Sequence, residues 1–267
     1  MIIDIHSHIL PAYDDGAMDE EMTRKMLHQA YEGGTREIVS TSHILSNADY
    51  DRQPEIFEKF ELVKAIARKE KLDMKFHLAS EIYMHPDTIV DQKVSTFDDN
   101  KKYMLVEFSL RTIPEFVPEM LFNWVMVGYQ PILAHPERNL KIFNTPAYAY
   151  KFAQMGVLLQ MNGGSLLGIF GEHAKSLAHD LMDHDLIHFI ASDGHNVYSR
   201  PIFLGDVYRY VSDRWGQERA VELMETNPRK AIRAEKIEIR EPIPFAENTK
   251  KPNKIRNFLQ KLGISGK

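Results

Sequence analysis

Short apolar runs in this chain end repeatedly in a histidine or a carboxylate. Ile2-Ile3-Asp4-Ile5 leads to His6 and His8, and Ile38-Val39-Ser40-Thr41-Ser42 to His43. Phe76-His77-Leu78-Ala79-Ser80 leads to Glu81, Tyr103-Met104-Leu105-Val106 to Glu107, Ile132-Leu133-Ala134 to His135, and Phe189-Ile190-Ala191-Ser192 to Asp193 and His195. Two histidines two positions apart on a strand share a face and can chelate one ion. Alone, His-x-His is as often a structural pair. In this company the reading changes, because so many carboxylates and desolvated imidazoles at one rim repel and destabilise unless cations sit among them. Asp14 and Asp15 follow in the first loop. Nitrogen and oxygen donors without sulfur suit zinc, manganese or iron better than copper(I) or clusters. Arg138, three residues after His135, and Arg200, five after His195, can reach a bound anion and grip it bidentately. Together they point to phosphate; Arg111 is a weaker third candidate.

These groups meet only if the runs are parallel strands whose C-terminal ends share one face. The candidate strand ends fall at residues 6, 43, 81, 107, 135, 162 and 193, spaced by roughly the length of one strand-helix unit. Helical periodicity fills the intervals: Met22, Met26, Leu27 and Ala30 before Gly33-Gly34, then Ile56, Phe57, Phe60, Val63 and Ala67, with further helices expected around 115–127, 145–155, 172–185 and 203–224. Alternating strand and helix implies a parallel α/β fold. So many functional groups at strand ends suit a barrel better than an open sheet with one switch point, so the expectation is a distorted seven-stranded (β/α)7 TIM-like barrel with a polynuclear metal site at its mouth. Asn162 ends its run but precedes Gly163-Gly164, as a turn former does, and is left outside the site. His28, His77, His85, His173, His179, His184 and His188 stand away from strand ends and read as surface or packing residues.

The 267 residues contain no cysteine, which excludes disulfides, thiolate metal sites and a cysteine nucleophile, and suits a reducing cytoplasm. A net charge of −5 argues against generic nucleic-acid binding. No export signal and no membrane-spanning apolar run is apparent, so a cytoplasmic protein is expected. The strand-helix pattern stops near residue 240. One barrel domain is therefore expected over 1–245 and a tail over 246–267, which is basic from Lys250 onward. In that tail Ile255, Phe258, Leu259 and Leu262 follow amphipathic spacing, suited to packing on the barrel or to peripheral contact with an anionic membrane.

Asp4-Ile5-His6-Ser7-His8, Asp14-Asp15-Gly16, Thr41-Ser42-His43, Ala134-His135-Pro136-Glu137-Arg138 and Ser192-Asp193-Gly194-His195-Asn196 stand in an order and spacing that resembles the bacterial manganese-dependent protein-tyrosine phosphatases. These belong to the polymerase and histidinol phosphatase superfamily and are encoded with capsule and exopolysaccharide genes. The resemblance spans residues 1–235. It implies three divalent ions, manganese before iron or zinc. His6, His8, Glu81 and Asp193 would hold the first; Glu81 would bridge to a second completed by Glu107 and His135; Asp15, His43 and His195 would hold the third. It also implies phosphate binding by Arg138 and Arg200, and as partner the phosphotyrosine tail of a membrane-associated tyrosine kinase. Pro11-Ala12-Tyr13 and Arg111-Thr112-Ile113-Pro114 fall outside the motifs.

Three rivals remain. A phosphatase of the same superfamily acting on a small ester such as histidinol phosphate would use the same cluster. An amidohydrolase would need lysine at the fourth strand end, where Glu107 stands. A phosphotyrosine-binding module without catalysis would be expected to have lost a ligand or an arginine, and none is missing.

Overall fold

The protein is described by a computed structural model over residues 1–245; the tail expected over 246–267 lies outside the described residues. The strands are β1 Ile2–Ser7, β2 Thr35–Ser40, β3 His43–Ile44, β4 Lys75–Leu78, β5 Glu81–Tyr83, β6 Tyr103–Glu107, β7 Gln130–Ala134, β8 Leu158–Asn162 and β9 Phe189–Ala191. Every pairing among them is parallel. Their C-terminal ends therefore lie on one side, as expected.

The expected distorted seven-stranded barrel is met only in part, as a parallel α/β fold without one continuous ladder. The ladders form two sheets, β1-β2-β4 and β3-β5-β6-β7-β8-β9. The cause is local. Two of the expected strands are interrupted, one at residues 41–42 and the other at 79–80. There the Glu81 N–H is shared between the Thr41 and Ser42 carbonyls at 3.1 and 3.3 Å, so the regular ladder lapses. At the other seam β9 stops at Ala191, because Asp193 adopts φ 52°, a left-handed conformation that no strand can continue. The regular ladder with β1 gives way to a bridge between Ser7 and Gly194, to the backbone bonds from Asp193 N to His6 O at 2.8 Å and from His8 N to Gly194 O at 2.9 Å, and to side-chain bonds from Ser192.

The two sheets nevertheless share one interior. Ile3, Ile5 and Val39 of the small sheet pack with Leu105, Ile132, Ala134, Leu158, Phe189 and Ala191 of the large one. The intervening residues Met104, Leu133, Leu159 and Ile190 face outward into the helical layer. Strands buried on both faces are what a helix-covered parallel sheet requires. The helix Glu20–Glu32 is capped by the Asp19 carboxylate, which accepts from Met22 N at 2.7 Å, and it presents Met22, Met26, Leu27 and Ala30 to the sheet. The single helix expected over 203–224 is broken: Gly205–Trp215 ends at Gly216, whose φ of 95° leaves the helical region, and Gln217–Val221 follows. Among the described residues no helix is long and apolar enough to cross a membrane.

Candidate metal centre

All nine expected ligand residues gather at the C-terminal strand ends. β1 shifts register against β2 between Asp4 and Ser7, the stretch that carries His6. His6 Nε2 lies 3.3 Å from His8 Nε2, 3.0 Å from Glu81 Oε2 and 3.4 Å from Asp193 Oδ1. His8 Nε2 lies 3.3 and 3.6 Å from the same two oxygens. Four donors each about 2.1 Å from one centre stand roughly 3.0–3.4 Å apart, so these separations suit ligands of one ion.

Glu81 leads to a second group. Its Oε1 lies 3.0 Å from His135 Nε2, which is 3.7 Å from Glu107 Oε2. His43 Nδ1 stands 3.3 Å from Glu81 and 3.4 Å from Glu107, so the geometry adds His43 beside that pair. On its other side His43 Nε2 is 3.3 Å from Asp15 Oδ1, and His195 Nε2 is also 3.3 Å from that oxygen. His8, whose ring centroid is 4.0 Å from that of His195, joins this third group.

The hydrogen-bond network fixes which nitrogen of each ring turns inward. Asp193 Oδ2 can only accept, so Asn162 must present Nδ2 to it at 2.6 Å. Asn162 Oδ1 then takes the Gln160 Nε2 proton at 3.0 Å, and Gln160 Oε1 is left to accept from His6 Nδ1 at 2.8 Å. Asp14 Oδ2 likewise holds the proton on His8 Nδ1 at 2.9 Å, and the Asp193 carbonyl holds it on His195 Nδ1 at 2.9 Å. Three imidazoles therefore present Nε2 to the cluster; burial opposes their protonation, but the Glu81 charge beside His6 and the Asp14 charge beside His8 outweigh it and raise both rings. The Nε2 atoms of His6 and His8 face each other across 3.3 Å. Anchoring of the remote nitrogen is how proteins orient metal-binding histidines. Among the described residues, His43 Nδ1, His195 Nε2 and Asp193 Oδ1 are buried without any hydrogen-bond partner. The donor set thus fits divalent ions.

Arg138 Nη1 and Arg200 Nη2 both donate to Asp193 Oδ2, at 3.0 and 2.7 Å. The buried Arg200 Nε has no hydrogen-bond partner among the described residues, and the Arg138 guanidinium lies 4.3 Å over the Phe170 ring. Arg111 is exposed and outside these contacts. Two members of the cluster are backbone-strained: His135 at φ 36° and Asp193 at φ 52°, a conformation that costs L-residues on the order of 1–3 kcal/mol and concentrates at functional sites. Gly16 is obligatory, since a Cβ there would stand 2.2 Å from the His8 carbonyl oxygen.

The sequence pattern for capsular polysaccharide synthesis proteins, CpsB/CapC, matches residues 2–233. The chain belongs to the CpsB/CapC family. It is 33% identical over 221 residues to the tyrosine-protein phosphatase YwqE of Bacillus subtilis, covering 81% of this chain and 86% of that one. It is 34% identical over 239 residues to the tyrosine-protein phosphatase CpsB of Streptococcus pneumoniae, covering 86% and 98%. Among solved structures, one described as YwqE and CpsB, metal-dependent tyrosine phosphatases, superposes with a TM-score of 0.85 at 31% identity over 92% of this chain and all of that one. An amidohydrolase from Mycoplasma synoviae shares the fold alone, with a TM-score of 0.52 at 12% identity over 99% of this chain and 95% of that one.

In this CpsB/CapC chain the side chains around the ligands set distinctive charge states. Burial and the Glu81 charge push Glu107 up to about 8. Burial opposes ionisation of Asp193 too, but His6 and Arg200 outweigh it and hold its carboxyl below the usual range. Four supporting residues escaped the sequence reading. Asn162 and Gln160 form the relay from Asp193 to His6, so Asn162, set aside in the sequence as a turn former, stands directly behind the candidate ligands. Asp4, pushed up to about 6 by burial, accepts from Ser192 N and Oγ and ties β1 to the segment carrying Asp193. Glu137, pushed up to about 7 by burial, accepts from Asn162 N and Ser165 Oγ. Gln160 sits mid-run where an apolar residue is expected, which was the available signal.

Proposed function

We propose that this chain is a metal-dependent tyrosine-protein phosphatase of capsular polysaccharide synthesis. The observation that carries the reading is the face-to-face pair of Nε2 atoms on His6 and His8, closed by Glu81 and Asp193 and flanked by two arginines. The names of the CpsB and YwqE relatives supply the substrate class.

His6, His8, Glu81 and Asp193 would hold one ion, Glu81, Glu107 and His135 with His43 beside them a second, and Asp15, His43 and His195 with His8 a third; manganese is the leading candidate and iron or zinc the alternatives. When bound, such ions supply a nucleophile from water at neutral pH and neutralise phosphoryl charge. The chain's own residues do the rest. Arg138 and Arg200 can swing donors from Asp193 to phosphoryl oxygens and stabilise the charge that spreads there in the transition state. Glu81, fully buried, keeps its place by contacts to four histidines. A tyrosyl oxygen, with a pKa of about 10, leaves with little help from an acid. No side-chain nucleophile is needed.

The two parallel sheets with their shared interior are best understood as a seven-stranded barrel interrupted at two seams. The substrate we infer is the phosphorylated tyrosine-rich tail of a membrane-associated tyrosine kinase, met in the cytoplasm. Turnover of a phosphotyrosyl peptide by the manganese-loaded protein, compared with histidinol phosphate, tests the assignment. Preference for histidinol phosphate would move the chain to the small-ester branch, and absence of turnover with both would leave only binding.

A further inference from the structure

Two clefts adjoin the candidate centre, and they differ in what they touch. One, of about 290 Å³, is lined by Leu110, Leu140, Phe143 and Phe170 and meets the centre only at Arg138 and Glu137. The other, of about 390 Å³, is lined by Tyr13, Leu45 and Tyr83 and opens directly onto Asp15, His43 and Glu107. An aryl ring bonded to phosphorus through a single oxygen must sit against the centre itself. Only the second cleft offers that position. The arginines stand at the Asp193 side, so a phosphoryl group gripped there leaves its organic substituent free to turn toward His43 and Glu107.

From this geometry we propose that the Tyr13–Leu45–Tyr83 cleft is the aryl subsite, with these three side chains determining the preference for phosphotyrosine over alkyl phosphates. The inference rests on the phosphatase reading. Its walls are built rather than incidental. Leu45, 53% exposed, is held in place through its backbone: Asp49 Oδ2 accepts from Leu45 N and Ser46 N, both at 2.9 Å. The Arg52 guanidinium stacks 4.2 Å above the Tyr13 ring, and its Nη2 donates to the Tyr13 carbonyl at 3.4 Å. The Tyr13 hydroxyl is buried and has no hydrogen-bond partner among the described residues, so it is a donor in want of an acceptor. Tyr83 leans on the His85 ring at 5.2 Å. Two tyrosine rings and an exposed leucine along one cleft give a flat phenyl group apolar surface to pack on.

The test compares Leu45→Ala and Tyr83→Ala with the wild-type protein and with Leu140→Ala, which alters the other cleft. In the manganese-loaded enzyme, kcat/KM for a phosphotyrosyl peptide should fall about tenfold in each of the first two, while an alkyl phosphate such as glycerol phosphate stays within about twofold. Binding is measured alongside. The Kd of a peptide bearing a non-hydrolysable aryl phosphonate should weaken about tenfold in the same two variants while that of inorganic phosphate holds. Equal losses with aryl and alkyl esters, or loss of the aryl preference in Leu140→Ala alone, overturn the subsite. If the wild-type protein hydrolyses no phosphotyrosyl peptide, the phosphatase reading fails, and the phosphonate measurement still decides the cleft.

Discussion

One oxygen of Asp14 positions two proposed ligands: Oδ2 accepts from His8 Nδ1 at 2.9 Å and from the His43 backbone N–H at 3.1 Å. Asp14 Oδ1 meanwhile accepts from Gly16 N at 3.0 Å, which folds the loop back beneath His8. The carboxyl is held below its usual range: burial opposes ionisation, but His8 outweighs it. A carboxylate that orients a ligating imidazole is worth 10–100-fold in metal affinity. Asp14→Ala should therefore raise the manganese concentration for half-maximal activity by about that factor. Asp14→Asn, whose carbonyl oxygen can still accept from His8, should lose less. Equal metal affinity in wild-type and Asp14→Ala protein, by direct titration, would remove the positioning role.

Arg138 and Arg200 share one acceptor, Asp193 Oδ2, so neither variant leaves the other unaffected. Replacement of either by alanine should lower kcat by about 10³-fold or more, the scale on which arginine stabilises phosphoryl transfer. Because the two act as a unit, the double variant should lose less than the product of the single losses. Lysine should rescue poorly at either position, since it offers no bidentate fork. Phosphatase activity that survives the double alanine variant sinks the clamp.

How far the sequence led can be seen residue by residue. Strand ends were legible because a histidine or carboxylate closing an apolar run is costly in any other setting, and Asp4-Ile5-His6 or Ile190-Ala191-Ser192-Asp193 shows it plainly. The breaks after Ser40 and Leu78 were not legible, because Thr41-Ser42 and Ala79-Ser80 have no strand-breaking residue; only tertiary hydrogen bonds interrupt those ladders. The relay through Gln160 and Asn162 was hidden for a different reason. Its logic is visible only once Asp193, about thirty residues away in sequence, fixes the orientation of the Asn162 amide. Gly216 carried a readable stop signal that strong flanking periodicity masked.

Chelation should abolish activity and also reach the fold. Buried carboxylates on Glu81 and Asp193 stand in one cluster, so removal of bound cations exposes their mutual repulsion. A site saturated a thousandfold above Kd stabilises by about 4 kcal/mol, and a chelator withdraws that contribution. The thermal midpoint should drop on chelation and return with manganese. Thiol alkylation should change nothing, because the chain has no cysteine. A midpoint indifferent to chelator and metal would show that the cluster binds no ion.

His188 supplies a pH dependence separate from the centre. Its ring is buried, its Nδ1 accepts from Leu159 N at 3.0 Å, and its pKa is lowered to about 3 by burial and by the Arg219 charge. Protonation at Nδ1 would destroy that bond. In the unfolded chain the same imidazole titrates near 6.5. Above about pH 6.5 both states are neutral there, and the residue contributes nothing to the pH slope; between about 6.5 and 3 the unfolded state alone binds the proton, so stability falls as pH falls. From pH 7 to pH 5 this one group should cost about 2 kcal/mol. His188→Gln keeps an acceptor for Leu159 N without a titrating ring. It should therefore flatten the stability profile over that interval by about one proton, read as the difference from wild type in urea unfolding. Parallel profiles for the two proteins would mean that His188 is protonated in the folded state.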